Sequence, residues 1–399
     1  MKILFMSGYP RVYAGSQIQL FELLKHLPDS YETRILLTED QLVAQRYRVQ
    51  GLPVTILNPG GTLNTFGKQI QKFSKLKLFR IFMTDYLSYS RRLIRFLRQE
   101  KFDCVHCNDP RAVILMALAA KWTRTQMICQ LHTDQGISPL FWRLFQVLST
   151  KIAVISKAAF QDLTESSQKK AAVIYPGVPS ITLNTSNLHP VINQIKGKEG
   201  VLIGIFSTLI PFKGYHHLLE AMRAMKERSL EQKWHIISLG GSPEEYAWYQ
   251  KWIQELVKEY GLEEHITFLG WQSNPYNYMN ACDVVVLPSI KEEVLRTPDR
   301  TEEVVGSEGF PTVVLEAMYL GKAVIATNVA GVPEQITHEE EGLLIEPSSS
   351  KDLEQSLVRL LHDQALRIRL GQQAQQKAKT QFSGTSYATG FQKIYENLR

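Results

Sequence analysis

Residues 307–335, "SEGFPTVVLEAMYLGKAVIATNVAGVPEQ", change period twice. Gly309 and Phe310 make a turn, Pro311 suits the first helical position, and Thr312 to Leu320 form a short helix stopped by Gly321 at its C-cap. The run "AVIAT" that follows reads as a strand, and "DVVVLPS" at 283–289 reads as another before the turn. Apolar strands separated by a helix belong to a parallel sheet covered on both faces.

The same alternation extends in both directions. "KILFMSG", "ETRILLT", "PVTILN", "FDCVHCN", "MICQLHT", "KIAVIS" and "AAVIYPG" read as strands in the first half, and "VLIGIFS", "HIISLGG", "HITFLGW", "DVVVLPS", "AVIAT" and "GLLIEP" in the second. Amphipathic stretches such as "YHHLLEAMRAMKE" lie between them. The polar segment 177–200 separates two such series. The expectation is an α/β chain of two Rossmann-like parallel-sheet domains, 1–185 and 186–382, with a last helix, 383–399, packing back on the N-terminal domain.

Composition agrees with a globular chain. At 399 residues the protein is too long for one ordinary core, and 44% apolar with 21% charged residues excludes disordered and collagenous classes. No apolar run approaches the roughly 20 residues of a membrane span, and "MKILFMSGYP" reads as a strand, not a leader, so a cytoplasmic protein is expected. The net charge of +6 excludes little until it is localised. Cys104 and Cys107 formally make a CxxC, but no second ligand pair accompanies them, and they are read as strand residues.

Glu308 and Glu316 carry the chemistry in the opening stretch. Glu308 sits in the loop before the helix and Glu316 about a turn and a half inside it, with free backbone N–H groups between them. The pair can hold a polyol on either side of a diphosphate facing the helix N-terminus, which is the layout of a nucleotide sugar. An exposed loop Glu and a helix Glu favoured by the dipole would leave the same pattern.

With its surroundings the pair resembles the family-four retaining glycosyltransferases of the GT-B fold, over nearly the whole chain. The Glu-x7-Glu motif is "EGFPTVVLEAM", and "GLEEHITFLGW", "YMNACDVVVLPS", "GKAVIATNVAGVPEQI" and "EGLLIEP" stand around it in the family's order. The resemblance implies two domains facing across a cleft, with the acceptor on the N-terminal side and the donor on the C-terminal side. It implies transfer of a sugar from a nucleotide-diphosphate sugar to an acceptor hydroxyl with retained configuration, in polysaccharide, glycolipid or other glycoconjugate synthesis. No cofactor and no metal are implied, and the sequence has no Asp-x-Asp and no His-Glu-x-x-His. In "PFKG", Lys213 is the implied contact to the diphosphate, with Ser207 and Thr208 just upstream. His132 in "ICQLHTDQG" is the implied active-site histidine, and Gly15 in "YAGSQ" the remaining glycine of a first-loop pair. Glu308 would hold the donor sugar and Glu316 the ribose, with Gly309, Phe310, Pro311 and Thr312 lining the donor site. His106, one strand before His132, is a weaker candidate.

Two departures stand out. The family usually has an Arg where this chain has Thr208, so one diphosphate cation is missing, with Lys291, Arg296 and Arg300 as candidate substitutes. Eighteen residues, 290–307, also replace a short connection and read as a long loop without evident structure. Residues 64–101 carry ten Lys or Arg against two acidic residues, interleaved with Phe, Leu and Ile. That segment is a candidate contact for an anionic membrane surface, which would place the protein at the inner face and favour a lipid-linked saccharide over a free saccharide or small molecule as acceptor. A nucleic-acid partner is not expected, since no binding motif accompanies the charge. The alternatives are a catalytically silent binding or assembly protein, which Thr208 suggests, and a nucleotide-sugar epimerase or phosphorylase on the same scaffold.

Overall fold

The computed structural model describes residues 1–8, 15–60, 63, 73–132, 139–184, 188–197, 200–228 and 230–398. Tyr13 and Ala14, all of 64–72 and the residues just after His132 lie outside them, as do 185–187, where the domain boundary was expected. The chain forms two compact units, Met1–Gly177 with Gly384–Arg399, and Val178–Ser383.

The first unit is built on seven parallel strands: β1 (Lys2–Ser7), β2 (Glu32–Leu37), β3 (Val54–Ile56), β4 (Cys104–Cys107), β5 (Gln126–Leu131), β6 (Lys151–Val154) and β7 (Ala171–Val173). Their order is β3-β2-β1-β4-β5-β6-β7. Alternation along β1 sends Leu4 and Met6 to one buried layer and Ile3 and Phe5 to the other, which is why the strand is apolar throughout. The same alternation disposes of the CxxC. Three positions apart on one strand, Cys104 and Cys107 fall in opposite layers, and all four cysteines are buried free thiols.

The last helix, Gly384–Glu396, fills the layer that holds Ile3 and Phe5, burying Tyr387, Phe391 and Tyr395. His106 is spent there. One ring nitrogen lies 2.7 Å from the Tyr395 hydroxyl and the other 3.1 Å from Gln130 Oε1, while Gln130 Nε2 donates to the Tyr387 hydroxyl at 2.7 Å. Burial pushes His106 down to about 3, so this buried chain holds a neutral imidazole that anchors the helix and has no open nitrogen for a substrate. Where the chain leaves the unit, the Gln19 side chain donates to the Gly177 carbonyl at 2.8 Å and accepts from its N–H at 2.9 Å. The first unit runs to Gly177 before the chain enters the second.

The second unit has six parallel strands, β8 (Val201–Phe206), β9 (Trp234–Leu239), β10 (Ile266–Gly270), β11 (Val284–Leu287), β14 (Ala323–Thr327) and β15 (Leu343–Ile345), in the order β10-β9-β8-β11-β14-β15. The segment read as a structureless loop is instead an antiparallel hairpin, β12 (Glu292–Thr297) and β13 (Arg300–Val305), turning at Pro298-Asp299. Leu295 and Val304 join the core while Val294 and Val305 face solvent. Both large sheets reverse their order once, between β1 and β4 and between β8 and β11. Open parallel sheets bind ligands at the carboxyl ends of strands beside such a reversal.

Candidate active site

In the second unit the reversal gathers the residues expected at a donor site. After β8, Pro211–Lys213 make a single 3-10 turn, and Gly214 (φ 67°) leads into the helix Tyr215–Glu227. A Cβ on Gly214 would lie 2.0 Å from the Pro288 carbonyl oxygen, so only glycine lets this turn press against the exit of β11. The Ile290 N–H donates to the Phe212 carbonyl at 2.9 Å and stitches the two together.

That contact brings Lys213 to Glu308. Lys213 Nζ lies 2.5 Å from Glu308 Oε1, and Ser289 Oγ donates to the same oxygen at 2.6 Å. Glu308 is 6% exposed, so its carboxylate is largely withdrawn from water and compensated by one ammonium and one hydroxyl. Gly331 N–H donates to the Glu308 backbone carbonyl at 3.1 Å, and Thr327 Oγ1 to that of Ser289 at 2.7 Å, holding the loop from the β14 side. Ser289 and Gly331 were not singled out from sequence. No local signal marks them, because their role depends on β14 lying beside β11.

The helix after the loop spans Thr312–Tyr319, with Pro311 at its N-cap position and not, as expected, at the first helical residue. The Pro311 carbonyl accepts from buried Gln335 at 3.0 Å, and the Phe310 ring meets Phe382 edge-on at 5.4 Å. Gly309 lies in the turn between Glu308 and Phe310. Glu316 faces Tyr276, whose hydroxyl is 3.5 Å from Oε1, and burial pushes its carboxyl up to about 7 against that weak hydrogen bond. Ser207 is tied to the Tyr215 hydroxyl, while Thr208 is exposed. Arg300 lies over the Trp248 ring at 4.4 Å and 3.8 Å from Glu302, so its charge is used within the hairpin's own surroundings.

In the first unit, Gly15 opens the helix Gly15–His26, and the Asn108 side chain after β4 donates to the Ser16 carbonyl at 3.2 Å. His132 follows β5 directly. Burial pushes it down to about 4, partly offset by a hydrogen bond to the Asn108 backbone, and its Nε2 is buried with no hydrogen-bond partner among the described residues. A neutral imidazole with one free nitrogen fits a ligand contact. At the end of β1, the Gly8 N–H and Ser7 hydroxyl both donate to half-buried Asp109, at 2.7 and 3.0 Å, and Arg111 donates to the Gly8 carbonyl at 2.7 Å. This cluster, absent from the sequence reading, sets where the first loop begins.

Two open parallel sheets, each with its ligand-type residues at a reversal of strand order, are the architecture of the GT-B class of glycosyltransferases. Family models agree: residues 14–180 match Glycosyltransferase Family 4 and residues 189–377 match Glycosyl transferases group 1. The chain belongs to the group 1 glycosyltransferases of family-four type. It is 29% identical over 260 residues, 65% of its length, to the uncharacterized glycosyltransferase MJ1178 of Methanocaldococcus jannaschii. It is 23% identical over its whole length to 99% of the N,N'-diacetylbacillosaminyl-diphospho-undecaprenol alpha-1,3-N-acetylgalactosaminyltransferase of Campylobacter jejuni. The match spans 62% of the length of MJ1178 and 57% of that of a D-inositol 3-phosphate glycosyltransferase of Corynebacterium glutamicum. Among solved structures, Anabaena Alr3699/HepE in complex with UDP superposes over the whole of both chains with a TM-score of 0.78 at 21% identity.

Proposed function

We propose that this protein transfers a sugar from a nucleotide-diphosphate sugar to an acceptor hydroxyl with retention of configuration, and without a metal in the reaction centre, in the synthesis of a polysaccharide, glycolipid or other glycoconjugate. The observation that carries this reading is the buried Glu308 carboxylate held by Lys213 and Ser289 in the loop that feeds the Glu316 helix. A carboxylate so compensated accepts hydrogen bonds from sugar hydroxyls. The neighbouring ammonium and the N–H groups at the helix start stabilise the charge that grows on a departing diphosphate. Glu316 is left for the ribose. The UDP complex of the Anabaena neighbour and the sugar-transfer name of the Campylobacter relative support the donor class. The test is incubation with a panel of UDP-, GDP- and ADP-sugars without added Mg2+ or Mn2+, following release of nucleotide diphosphate and the anomer formed. Binding without release favours the silent assembly protein, and no binding to any donor ends the proposal.

Glu316 gives this reading a pH signature. Its carboxyl is raised from the ordinary 4.5 to about 7, so the unliganded fold favours the neutral acid. The group's contribution to stability is complete below 4.5 and is lost as pH rises through 7. Ribose hydroxyls donate best to the ionised form, so nucleotide binding expels a proton below that pH. UDP affinity, measured by calorimetry and corrected for the titration of its own phosphate, should fall about tenfold per unit below pH 7. Glu316→Gln should remove that slope; equal slopes in both proteins count against the ribose assignment.

The membrane contact belongs to the same proposal. Among the described residues no helix is long and apolar enough to cross a bilayer. Leu76, Phe79, Phe82 and Met83 are 79, 62, 47 and 48% exposed on the segment that carries Lys77 and Arg80. Tyr89, Leu93 and Leu97 are buried on the inner face of the following helix, and Arg91, Arg95 and Arg98 line a groove with Ile94 and Trp122 on its outer side. Apolar side chains beside unpaired-sign charge suit an anionic interface, each cation adding about 1 kcal/mol. Arg91, Arg95 and Arg98 changed together to Gln should weaken sedimentation with phosphatidylglycerol vesicles by roughly a hundredfold. Arg92 is left out because it donates to the Asn58 carbonyl at 2.8 Å. Equal binding to neutral vesicles, or none, overturns the contact.

A further inference from the structure

The inserted hairpin meets the helix Tyr215–Glu227 through three side chains whose ligand atoms lie within 4.8 Å of one another: His216, His217 and Glu293. His217 Nε2 is 2.8 Å from Glu293 Oε2, and His216 Nε2 is 3.5 Å from Glu293 Oε1. Both imidazoles turn the same nitrogen toward one carboxylate. Their other nitrogens are each held by a hydroxyl, His216 Nδ1 at 2.8 Å from the Tyr249 oxygen and His217 Nδ1 at 3.0 Å from Ser350 Oγ. Ser348 Oγ donates to Glu293 Oε2 at 2.9 Å, so the carboxylate too has an outer partner. Glu220 stands behind, hydrogen-bonded by Ser350.

His216 is 4% exposed, and its Nε2 is buried and lacks a hydrogen-bond partner among the described residues. An ion pair between His217 and Glu293 accounts for those two residues but leaves the His216 nitrogen with a 3.5 Å contact to Glu293 Oε1 and no well-formed hydrogen bond, which is poor satisfaction for a buried polar group. A divalent cation satisfies all three at once. Histidines fixed by a hydrogen bond on the far ring nitrogen, with a carboxylate itself hydrogen-bonded, form the usual outer surroundings of a metal centre. Two imidazoles and one carboxylate suit zinc-type ions and not calcium or magnesium, which prefer all-oxygen shells.

We propose that His216, His217 and Glu293 bind a zinc-class divalent cation that clasps the β12–β13 hairpin onto the helix following Lys213. The cation takes no part in sugar transfer. It ties the inserted segment to the same turn that presents Lys213, and so holds the entry to the Glu308 loop in place. This assignment rests on the cluster alone and stands whether or not the donor reading does.

The test uses the full-length protein, stripped with chelator and dialysed, then titrated with cobalt chloride and zinc chloride. One equivalent of Co2+ should give the visible absorption of a four- or five-coordinate site. One equivalent of Zn2+ should displace it and raise the melting temperature. Glu293→Gln and His217→Asn should each weaken binding by about a hundredfold, while His362→Asn, at an exposed position, leaves it unchanged. X-ray absorption at the zinc edge of the wild-type protein should show two imidazoles and oxygen ligands, a measurement that needs no variant. Absence of a cobalt spectrum, a spectrum that survives in both variants, or a zinc shell without imidazole overturns the site.

Discussion

Lys213→Met should lower kcat/KM by about a thousandfold, the loss expected when a buried electrostatic stabiliser of a leaving group is removed. Two effects combine. On the proposed reading the diphosphate loses the cation assigned to it, and Glu308, 6% exposed, is left with the Ser289 hydroxyl as its partner among the described residues. Breaking a buried pair from one side costs about 3–5 kcal/mol because the remaining charge is stranded. Glu308→Gln removes the other half and keeps an acceptor for Ser289. It should reduce turnover more than donor affinity, since a contact that tightens as the sugar becomes cationic appears in kcat. Because Nζ and Oε1 are 2.5 Å apart, the two residues act as one unit and the double variant should lose much less than the product of the single losses. Multiplicative losses, or near-normal transfer by Lys213→Met, would show that the ion pair is not part of the reacting centre.

Gly214→Ala should have a large effect on the fold of the second unit. Gly214 has φ 67°, where a Cβ costs about 1–2 kcal/mol. That Cβ would stand 2.0 Å from the Pro288 carbonyl oxygen, a backbone atom that no rotamer change can move. Relief requires the 211–213 turn to separate from the β11 exit, giving up the 2.9 Å bond between Ile290 N–H and the Phe212 carbonyl. The total should reach about 3 kcal/mol or more. Activity should fall as well, because the same displacement carries Lys213 away from Glu308. Gly241→Ala is the matched control: nothing lies within 4 Å of its Cβ position, and a change of less than about 0.5 kcal/mol is expected. Equal melting of the two variants would mean that the turn tolerates a side chain and that Lys213 is placed by other contacts.

By itself the sequence determined every one of the thirteen parallel strands among the described residues, the helix after Glu308 and the family. Runs such as "AVIAT" and stretches such as "YHHLLEAMRAMKE" announce themselves because burial on both faces and burial on one face leave different periods in neighbouring residues. The hairpin at 292–305 was also written there, as alternation around Pro298-Asp299. Its charges hid the period, since "KEEVLRTPDRTEEVV" buries only Leu295 and Val304 and exposes the valines beside them. What pairs with what was decided by the tertiary structure alone. Lys213 and Glu308 are 95 positions apart and meet because β8 lies beside β11, and Ser289 and Gly331 join them because β14 lies on the other side. His106, a weak site candidate from sequence, is taken up instead by Tyr395, 289 positions away on the last helix. Strand order depends on how whole helices share two faces of a sheet, an energy summed over residues distant in the chain. A local pattern can therefore place a side chain at the end of a strand, but only the packed sheet chooses its neighbour.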